Sequence, residues 1–127
     1  MKGMIPQKIL IADDEFLIRW SLSEALSQEG YEVIAVEDGK KAVEATRSEH
    51  FDYVITDLLM PELDGWKVLE TIQGIQPHPR VIIITAHGKE DSARIAREKG
   101  AWAYVEKPYL IEKIKGILKE GPEPHLI

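Results

Sequence analysis

Five short apolar segments rich in Val, Ile and Ala alternate along this 127-residue chain with longer segments of helical periodicity. This alternation constrains the fold strongly, because strands that are apolar throughout belong to a parallel sheet covered by helices on both faces. The predicted strands are residues 8–12, 31–36, 53–56, 80–85 and 103–106. The predicted helices are residues 15–29, 40–48, 66–75, 90–99 and 110–119, with Gly30 and Gly100 at two helix ends. The pattern therefore predicts five strand–helix units of an α/β fold.

Acidic residues follow two of the predicted strands directly. Asp13 and Asp14 come after strand 1, and Asp57 comes after strand 3. In a doubly wound parallel sheet of flavodoxin-like order 2-1-3-4-5, strands 1 and 3 are neighbours, and ligands bind beyond their carboxyl ends. This order brings the three carboxylates together at the expected ligand site. We therefore predict a flavodoxin-like (βα)5 doubly wound five-stranded parallel sheet in the order 2-1-3-4-5.

Three crowded carboxylates repel one another unless a cation joins them, and oxygen ligands on rigid strand ends suit Mg²⁺. Lys107 follows strand 5 and Thr85 ends strand 4, so an ammonium and a hydroxyl are expected at the same rim. A carboxylate is a suitable nucleophile for phosphoryl transfer, and a metal ion with a lysine stabilises the charge that develops. The site is thus predicted to accept a phosphoryl group. This prediction depends on the combination of four strand ends that place complementary groups at one rim.

Charge and composition narrow the function further. Sixteen Lys and Arg residues against twenty-two Asp and Glu residues give a net charge of −6, which disfavours direct contact of this domain with nucleic acid or anionic membranes. The absence of cysteine excludes disulfides, thiolate metal sites and cysteine nucleophiles. The four histidines are too scattered for a zinc motif, and no apolar run approaches a membrane span. A cytoplasmic location is the expectation.

Several segments, in order and at characteristic spacing, resemble the receiver domains of bacterial two-component response regulators. They are residues 9–15 (ILIADDE), 57–65 (DLLMPELDG), Thr85-Ala86, Gly100-Ala101, Tyr104 and Lys107-Pro108. The resemblance to this CheY-like superfamily covers essentially residues 8–119. It implies a domain over residues 8–120, with residues 1–7 as a tail and residues 121–127 as a tail or the start of a linker.

The resemblance also implies roles for the residues at the carboxylate cluster. Asp57 is the expected phosphoacceptor. Asp14, Asp57 and the backbone carbonyl of Leu59 are the expected direct ligands of Mg²⁺, and Asp13 is expected to act mainly through water. Lys107 is expected to pair with Asp57 and the phosphate. The protein is then its own substrate and not an enzyme in the usual sense. The only reactions expected of it are its own phosphorylation from a phosphodonor and its own dephosphorylation.

The conformational switch is implied in the same way. Thr85 is expected to move toward the phosphate, and Tyr104 to turn inward behind it, which changes the surface of helix 4, strand 5 and helix 5. Such a change is a population shift set by how differently the two arrangements bind the phosphate. The resemblance also implies a cis peptide between Lys107 and Pro108.

The implied partners are a sensor histidine kinase or a histidine phosphotransfer protein as phosphodonor, and an effector domain or downstream protein as output. A phosphorylation-dependent homodimer is a further possibility. Phe16 and Trp20 lie off the apolar stripe of helix 1, so they either dock the phosphodonor or pack against a neighbouring helix. Alternation of side chains along strand 5 is expected to place Trp102 on the same side as Tyr104. There it contributes either to an output or dimer face or to edge packing.

Three other functions compete with this interpretation. A flavin-binding flavodoxin has the same layout, but residues 13–15 (DDE) would repel a flavin phosphate. A haloacid-type phosphatase requires Asp-x-Asp after a strand, and Asp57-Leu58-Leu59 lacks the second aspartate. A pure interaction module of receiver shape, with its acidic site unused, remains open.

Overall fold

The computed structural model describes residues 6–86, 88–107 and 110–120 of the chain, the side chains of Leu110 and Glu120 apart. The strands are β1 (Lys8–Ala12), β2 (Glu32–Val36), β3 (Tyr53–Asp57), β4 (Arg80–Thr85) and β5 (Ala103–Glu106). The helices are α1 (Phe16–Gln28), α2 (Gly39–Ser48), α3 (Gly65–Gln73), α4 (Ser92–Glu98) and α5 (Leu110–Glu120). The order of elements agrees with the prediction; half of the bounds are identical to the predicted ones and the others differ by one or two residues.

All five strands are parallel, and their order in the sheet is β2-β1-β3-β4-β5. This confirms the predicted flavodoxin-like fold. β3 is buried throughout, and β4 is buried except at Arg80, as expected for strands covered on both faces. The edge strand β2 is half-exposed. The carboxyl ends of β1, β3, β4 and β5 consequently share one rim.

Two apolar layers cover the sheet. One layer joins alternate strand residues to α2, α3 and α4 and includes Phe51, Leu69 and Ile72. The other joins the remaining strand residues to α1 and α5 through Leu22 and Ile114. Because side chains alternate across a strand, neighbouring residues of β3 and β4 contribute to opposite layers. Helices thus pack against both faces of the sheet and fix the positions of the strand ends that form the rim.

Helix ends follow local sequence signals. The side chains of Asp38 and Asp64 accept hydrogen bonds from the amides of Lys41 and Lys67, which caps the amino ends of α2 and α3. Gly30 and Gly100 have φ values of 99° and 93°, so both predicted helix ends lie in the left-handed region that favours glycine.

Trp102 lies on the opposite face of the sheet from the one predicted. It belongs to the α1/α5 layer, whereas Tyr104 belongs to the α2/α3/α4 layer. Its indole is only 7% exposed and packs 5.6 Å from the ring of Tyr53, and the Arg80 guanidinium lies over both rings. The prediction was wrong because β5 begins after Trp102, so strand alternation does not extend to it. In this arrangement Trp102 is a core residue and not part of an exposed partner surface.

Among the described residues, no helix is long and apolar enough to cross a membrane.

Candidate phosphoacceptor site

The rim at the carboxyl ends of the strands carries a cluster of three carboxylates. One carboxylate oxygen from each of Asp13, Asp14 and Asp57 lies within 4.8 Å of the others. Asp13 and Asp57 are buried and Asp14 is exposed. The parallel pairing of β1 with β3 produces this proximity, since Ala12 is level with Thr56 and each strand is followed by its acidic residue or ends on it. The structure therefore brings the three predicted aspartates together.

The ammonium of Lys107 lies inside the same cluster. Its Nζ is 3.2 Å from Asp13 Oδ2, 3.3 Å from Asp57 Oδ2 and 2.9 Å from Glu15 Oε1. Burial by itself lowers the pKa of Lys107, but the hydrogen bond to Glu15 and the charges of Asp13 and Asp57 together raise that pKa above its usual value. Lys107 is thus a fixed positive charge beside the predicted acceptor oxygen.

In Asp13, unlike Lys107, the surroundings disfavour the charged form of the side chain. Its side chain has no exposed surface, and burial, with a smaller contribution from the charge of Asp57, raises its pKa from 3.8 to about 6. The Glu15 amide, which donates to Asp13 Oδ1 at 2.8 Å, and the Lys107 ammonium oppose this rise. A cation nearby would stabilise the charged form of this buried carboxylate.

The loop after β3 holds Asp57 against the start of α3. The Gly65 amide donates to the Leu58 carbonyl at 2.8 Å, and the Leu58 amide donates to the Ile84 carbonyl at 3.2 Å. Leu59 follows directly, its amide 3.4 Å from Asp57 Oδ1 and its side chain 56% exposed. The backbone of Leu59 is therefore at the cluster while its side chain faces solvent.

Thr85 and Tyr104 lie side by side behind the rim. Both are buried, and the Tyr104 hydroxyl lies 3.5 Å from Glu106 Oε2. A Cβ placed on Gly88 would lie 2.0 Å from the Tyr104 hydroxyl, 2.5 Å from Glu106 Oε2 and 3.3 Å from Thr85 Cγ2. The buried Tyr104 therefore packs across the backbone of Gly88, and its inward turn on phosphorylation stays a prediction.

Exposed apolar side chains lie next to the acidic rim, on α1 and on the loop after β3. Phe16 and Trp20 on α1 are 64% and 55% exposed, and Leu17 and Leu59 are also exposed. The Arg19 guanidinium lies 5.7 Å from the centre of the Phe16 ring, and its Nη1 donates to the Asp13 carbonyl at 2.8 Å. Of the two possibilities for Phe16 and Trp20, the structure favours an exposed pair over packing against a neighbouring helix.

Two acidic residues near the site were not singled out from the sequence. Glu15 makes the shortest contact of the Lys107 ammonium, and Glu106 lies beside Tyr104. Glu15 directly follows the two predicted aspartates, but its position gave no sign that its side chain would turn toward strand 5. Pro108 lies outside the described residues, so the predicted cis bond between Lys107 and Pro108 stays a prediction.

The donor set suits Mg²⁺. It consists of hard carboxylate oxygens on strand ends, with the Leu59 backbone adjacent and without sulfur or imidazole donors among the clustered side chains. The residues present therefore fit a divalent cation at this rim.

Comparison with known proteins agrees with the fold and shows the family. Residues 9–119 match the family model described as the response regulator receiver domain. The sporulation initiation phosphotransferase F of Bacillus subtilis is 35% identical over 117 residues, which cover 92% of this chain and 94% of that protein. The transcriptional regulatory protein PdtaR of Mycobacterium tuberculosis is 39% identical over 111 residues, and this chain spans 87% of its own length but 54% of that protein.

A solved structure of the response regulator TrrA from Thermotoga maritima, in complex with Mg²⁺ and BeF, superposes with a TM-score of 0.80 at 32% identity. The alignment covers 90% of this chain and 97% of that one. The family match spans most of the chain and includes the carboxyl ends of all the strands from which the acidic rim is built. The chain belongs to the response regulator receiver domain family of two-component signalling.

Proposed function

We propose that this chain is a Mg²⁺-dependent phosphoacceptor, occupying residues 8–120, that takes a phosphoryl group onto Asp57 from a histidine kinase or a histidine phosphotransfer protein. The observation that carries the proposal is the rim at which the Asp13, Asp14 and Asp57 carboxylates cluster, with the ammonium of Lys107 in contact with those of Asp13 and Asp57. An unused interaction module would gain nothing from burying two carboxylates, because buried charges reduce stability unless they are compensated.

In the proposed reaction an oxygen of the Asp57 carboxylate attacks the phosphorus of the donor phosphohistidine. The bond between phosphorus and the imidazole nitrogen breaks, the imidazole keeps the electron pair, and that nitrogen is then protonated. Asp57 becomes an acyl phosphate, and later attack by water on phosphorus restores the carboxylate and releases inorganic phosphate. Lys107, already 3.3 Å from Asp57 Oδ2, is placed to stabilise the charge on the phosphoryl oxygens.

The metal would be held by the Asp14 and Asp57 carboxylates and the Leu59 carbonyl, with Asp13 acting through water. When bound, it supplies positive charge that offsets the phosphoryl oxygens in phosphoryl transfer. Asp13 contributes a buried negative charge that both Lys107 and a cation offset. The Leu59 side chain is apolar and exposed, so it does not orient an attacking water.

The exposed apolar surface formed by Phe16, Leu17, Trp20 and Leu59 is proposed to dock the phosphodonor. It lies on α1 and on the loop that follows Asp57, and is therefore adjacent to the reacting atoms. Exposed aromatic side chains next to a site are typical of protein contact surfaces. The output surface is proposed to be that of α4, β5 and α5, acting on an effector domain, a downstream protein or a second copy.

Binding of the phosphate mimic beryllofluoride tests the proposal without a cognate kinase. With Mg²⁺ present, we expect bound beryllofluoride resonances in the ¹⁹F NMR spectrum of the wild-type protein, because the Asp57 carboxylate and the Lys107 ammonium match a phosphoryl group. These resonances should be absent without Mg²⁺ and in the Asp57→Asn variant. A folded wild-type protein that binds neither Mg²⁺ nor beryllofluoride would instead favour the interaction module.

We further propose that Thr85 moves toward the phosphate and that Tyr104 turns inward behind it, and this switch can be tested at Gly88. Alanine there would place its Cβ 2.0 Å from the Tyr104 hydroxyl, so we expect Gly88→Ala to expel the Tyr104 ring from its buried position. Phosphorylation of Asp57 should persist, while the response of α4 and β5 to beryllofluoride should fall to less than about half. The measurement is ¹⁹F NMR of fluorotyrosine-labelled protein, with the Tyr104 signal assigned from Tyr104→Phe.

Gly116→Ala is the matched control for this variant, since a Cβ on Gly116 meets nothing within 4 Å. It should leave the Tyr104 signal unchanged. A Tyr104 resonance in Gly88→Ala with the wild-type shift and the same solvent protection would refute the steric coupling of Gly88 to Tyr104.

A further inference from the structure

The ammonium of Lys107 is shared among three carboxylates, and the shortest of the three contacts is to Glu15. Nζ lies 2.9 Å from Glu15 Oε1, compared with 3.2 Å from Asp13 and 3.3 Å from Asp57. Glu15 also differs in its surroundings, because its side chain is 61% exposed while those of Asp13 and Asp57 are 0% and 8% exposed. The best contact of the lysine is therefore with the one solvent-facing carboxylate.

The position of Glu15 in the fold gives its side chain no other described role. Glu15 is the residue that precedes α1, where a side chain commonly caps the helix, yet it makes no side-chain capping hydrogen bond. Its backbone amide donates to Asp13 Oδ1 at 2.8 Å, which fixes the residue beside the cluster. Its carboxylate extends across the rim, from the end of strand β1 to the end of strand β5.

Glu15 also changes the charge balance of the site. Asp13, Asp14 and Asp57 with Lys107 and one divalent cation would be close to neutral, and the Glu15 carboxylate adds one negative charge to this group. Phosphodonors are anions, so this charge repels them and competes with their oxygens for the Lys107 ammonium. Both effects slow the approach of a phosphoryl group to Asp57.

We infer that Glu15 is a positioning residue that holds Lys107 by its ammonium and thereby slows phosphoryl uptake at Asp57. The inference rests on the proposed function of Asp57 as phosphoacceptor. Phosphoryl transfer requires Lys107 to exchange its Glu15 contact for the incoming phosphoryl oxygens. Removing the charge of Glu15 while keeping a hydrogen-bond acceptor weakens the contact that must be broken.

The test is the Glu15→Gln variant phosphorylated by acetyl phosphate at saturating Mg²⁺, with the ionic strength varied by KCl. Asp57 attacks phosphorus, acetate leaves with the electron pair of the broken phosphorus–oxygen bond, and the rate is followed by intact mass. At low ionic strength we expect the variant to be phosphorylated about three to ten times faster than wild type. Because Glu15 is exposed, the ratio should fall toward one at about 0.5 M KCl.

A second measurement reports on Lys107 without metal or donor. In metal-free protein the ¹³C resonance of the Asp57 carboxyl carbon should shift in Glu15→Gln, since the ammonium is then shared by fewer charged partners. Glu24→Gln is the matched control, because it removes the same charge from the exposed face of α1 about 13 Å further along the helix. It should change neither the rate nor the Asp57 resonance.

The outcomes separate the inference from the proposed function. If wild type is phosphorylated but Glu15→Gln is no faster at low ionic strength, or its advantage does not depend on salt, the role of Glu15 is refuted and the phosphoacceptor stands. If Glu24→Gln accelerates uptake equally, the effect is one of overall charge and the positioning role is likewise overturned. If wild type neither is phosphorylated nor binds beryllofluoride, the proposed function itself fails.

Discussion

Replacing Gly65 with alanine is expected to destabilise the protein by about 2 to 3 kcal/mol and to weaken beryllofluoride binding at least tenfold. The new Cβ would lie 2.3 Å from the Asp57 carbonyl oxygen and 2.8 Å from Leu58 Cα. Both contacts are with backbone atoms, so no side chain can rotate to relieve them. The amino end of α3 must therefore separate from the backbone of the acceptor, and the Asp57 carboxylate moves with it.

Thermal unfolding and ¹⁹F NMR of bound beryllofluoride measure the two effects of Gly65→Ala. The melting temperature should fall by about 10 °C, from a typical loss of a few degrees per kcal/mol in a domain of this size. Gly74→Ala at the other end of α3 is the control, because its Cβ would meet only the Thr71 carbonyl, at an ordinary 3.5 Å. A Gly65→Ala protein as stable as this control would show that the helix does not rest on the Asp57 backbone.

Replacing Asp13 with asparagine is expected to stabilise the metal-free protein at pH 7 by about 1 to 2 kcal/mol, although it removes a proposed metal-site residue. Burial raises the pKa of Asp13 to about 6, so at pH 7 the folded protein contains an ionised carboxylate in an environment that favours its neutral form. Asparagine keeps an acceptor for the Glu15 amide and removes the buried charge.

The effect of Asp13→Asn on the free energy of unfolding is expected to depend on pH. Because the folded pKa of Asp13 lies above the unfolded value of 3.8, the folded state binds the proton more tightly than the unfolded state. The contribution of Asp13 to stability is therefore greatest below pH 3.8 and is lost as the pH rises to about 6. The advantage of Asp13→Asn should appear across this window and level off above it.

Urea unfolding at several pH values, with and without Mg²⁺, measures the difference between Asp13→Asn and wild type. Above pH 6, Mg²⁺ should stabilise wild type much more than the variant, because an ionised Asp13 contributes to cation binding. Asp14→Asn is the control for charge alone, since Asp14 is exposed and its replacement should change metal-free stability little. A metal-free Asp13→Asn protein less stable than wild type at pH 7 would contradict a destabilising role for the buried charge.

The fold was predictable because its strands are apolar on both faces. A run such as residues 80–85 (RVIIIT) has few alternatives once helical segments flank it, and the position of the aspartates after two strands selected the sheet order. The proximity of Asp13, Asp14 and Asp57 follows from that order without further information. The helix bounds were less certain, because frayed ends depend on local hydrogen bonds: Ser92 Oγ accepts from the Lys89 amide, and α4 begins only there.

The contacts of long side chains were not predictable. The sequence places Glu15 and Lys107 on different strand ends, but only the three-dimensional arrangement makes Glu15 the nearest carboxylate to the ammonium. Trp102 was assigned to the wrong face because alternation was extended one residue beyond β5. The close approach of the Tyr104 hydroxyl to Gly88 is likewise a feature that no local pattern indicates.

Phosphorylation of Asp57 is tested by the intact mass of the protein after incubation with Mg²⁺ and acetyl phosphate, with Asp57→Asn measured beside it. We expect a single phosphoryl increment in wild type that requires Mg²⁺ and is absent in the variant. An increment that persists in Asp57→Asn would place the acceptor elsewhere. A wild-type protein that takes up no phosphoryl group and binds no beryllofluoride would contradict the proposed function.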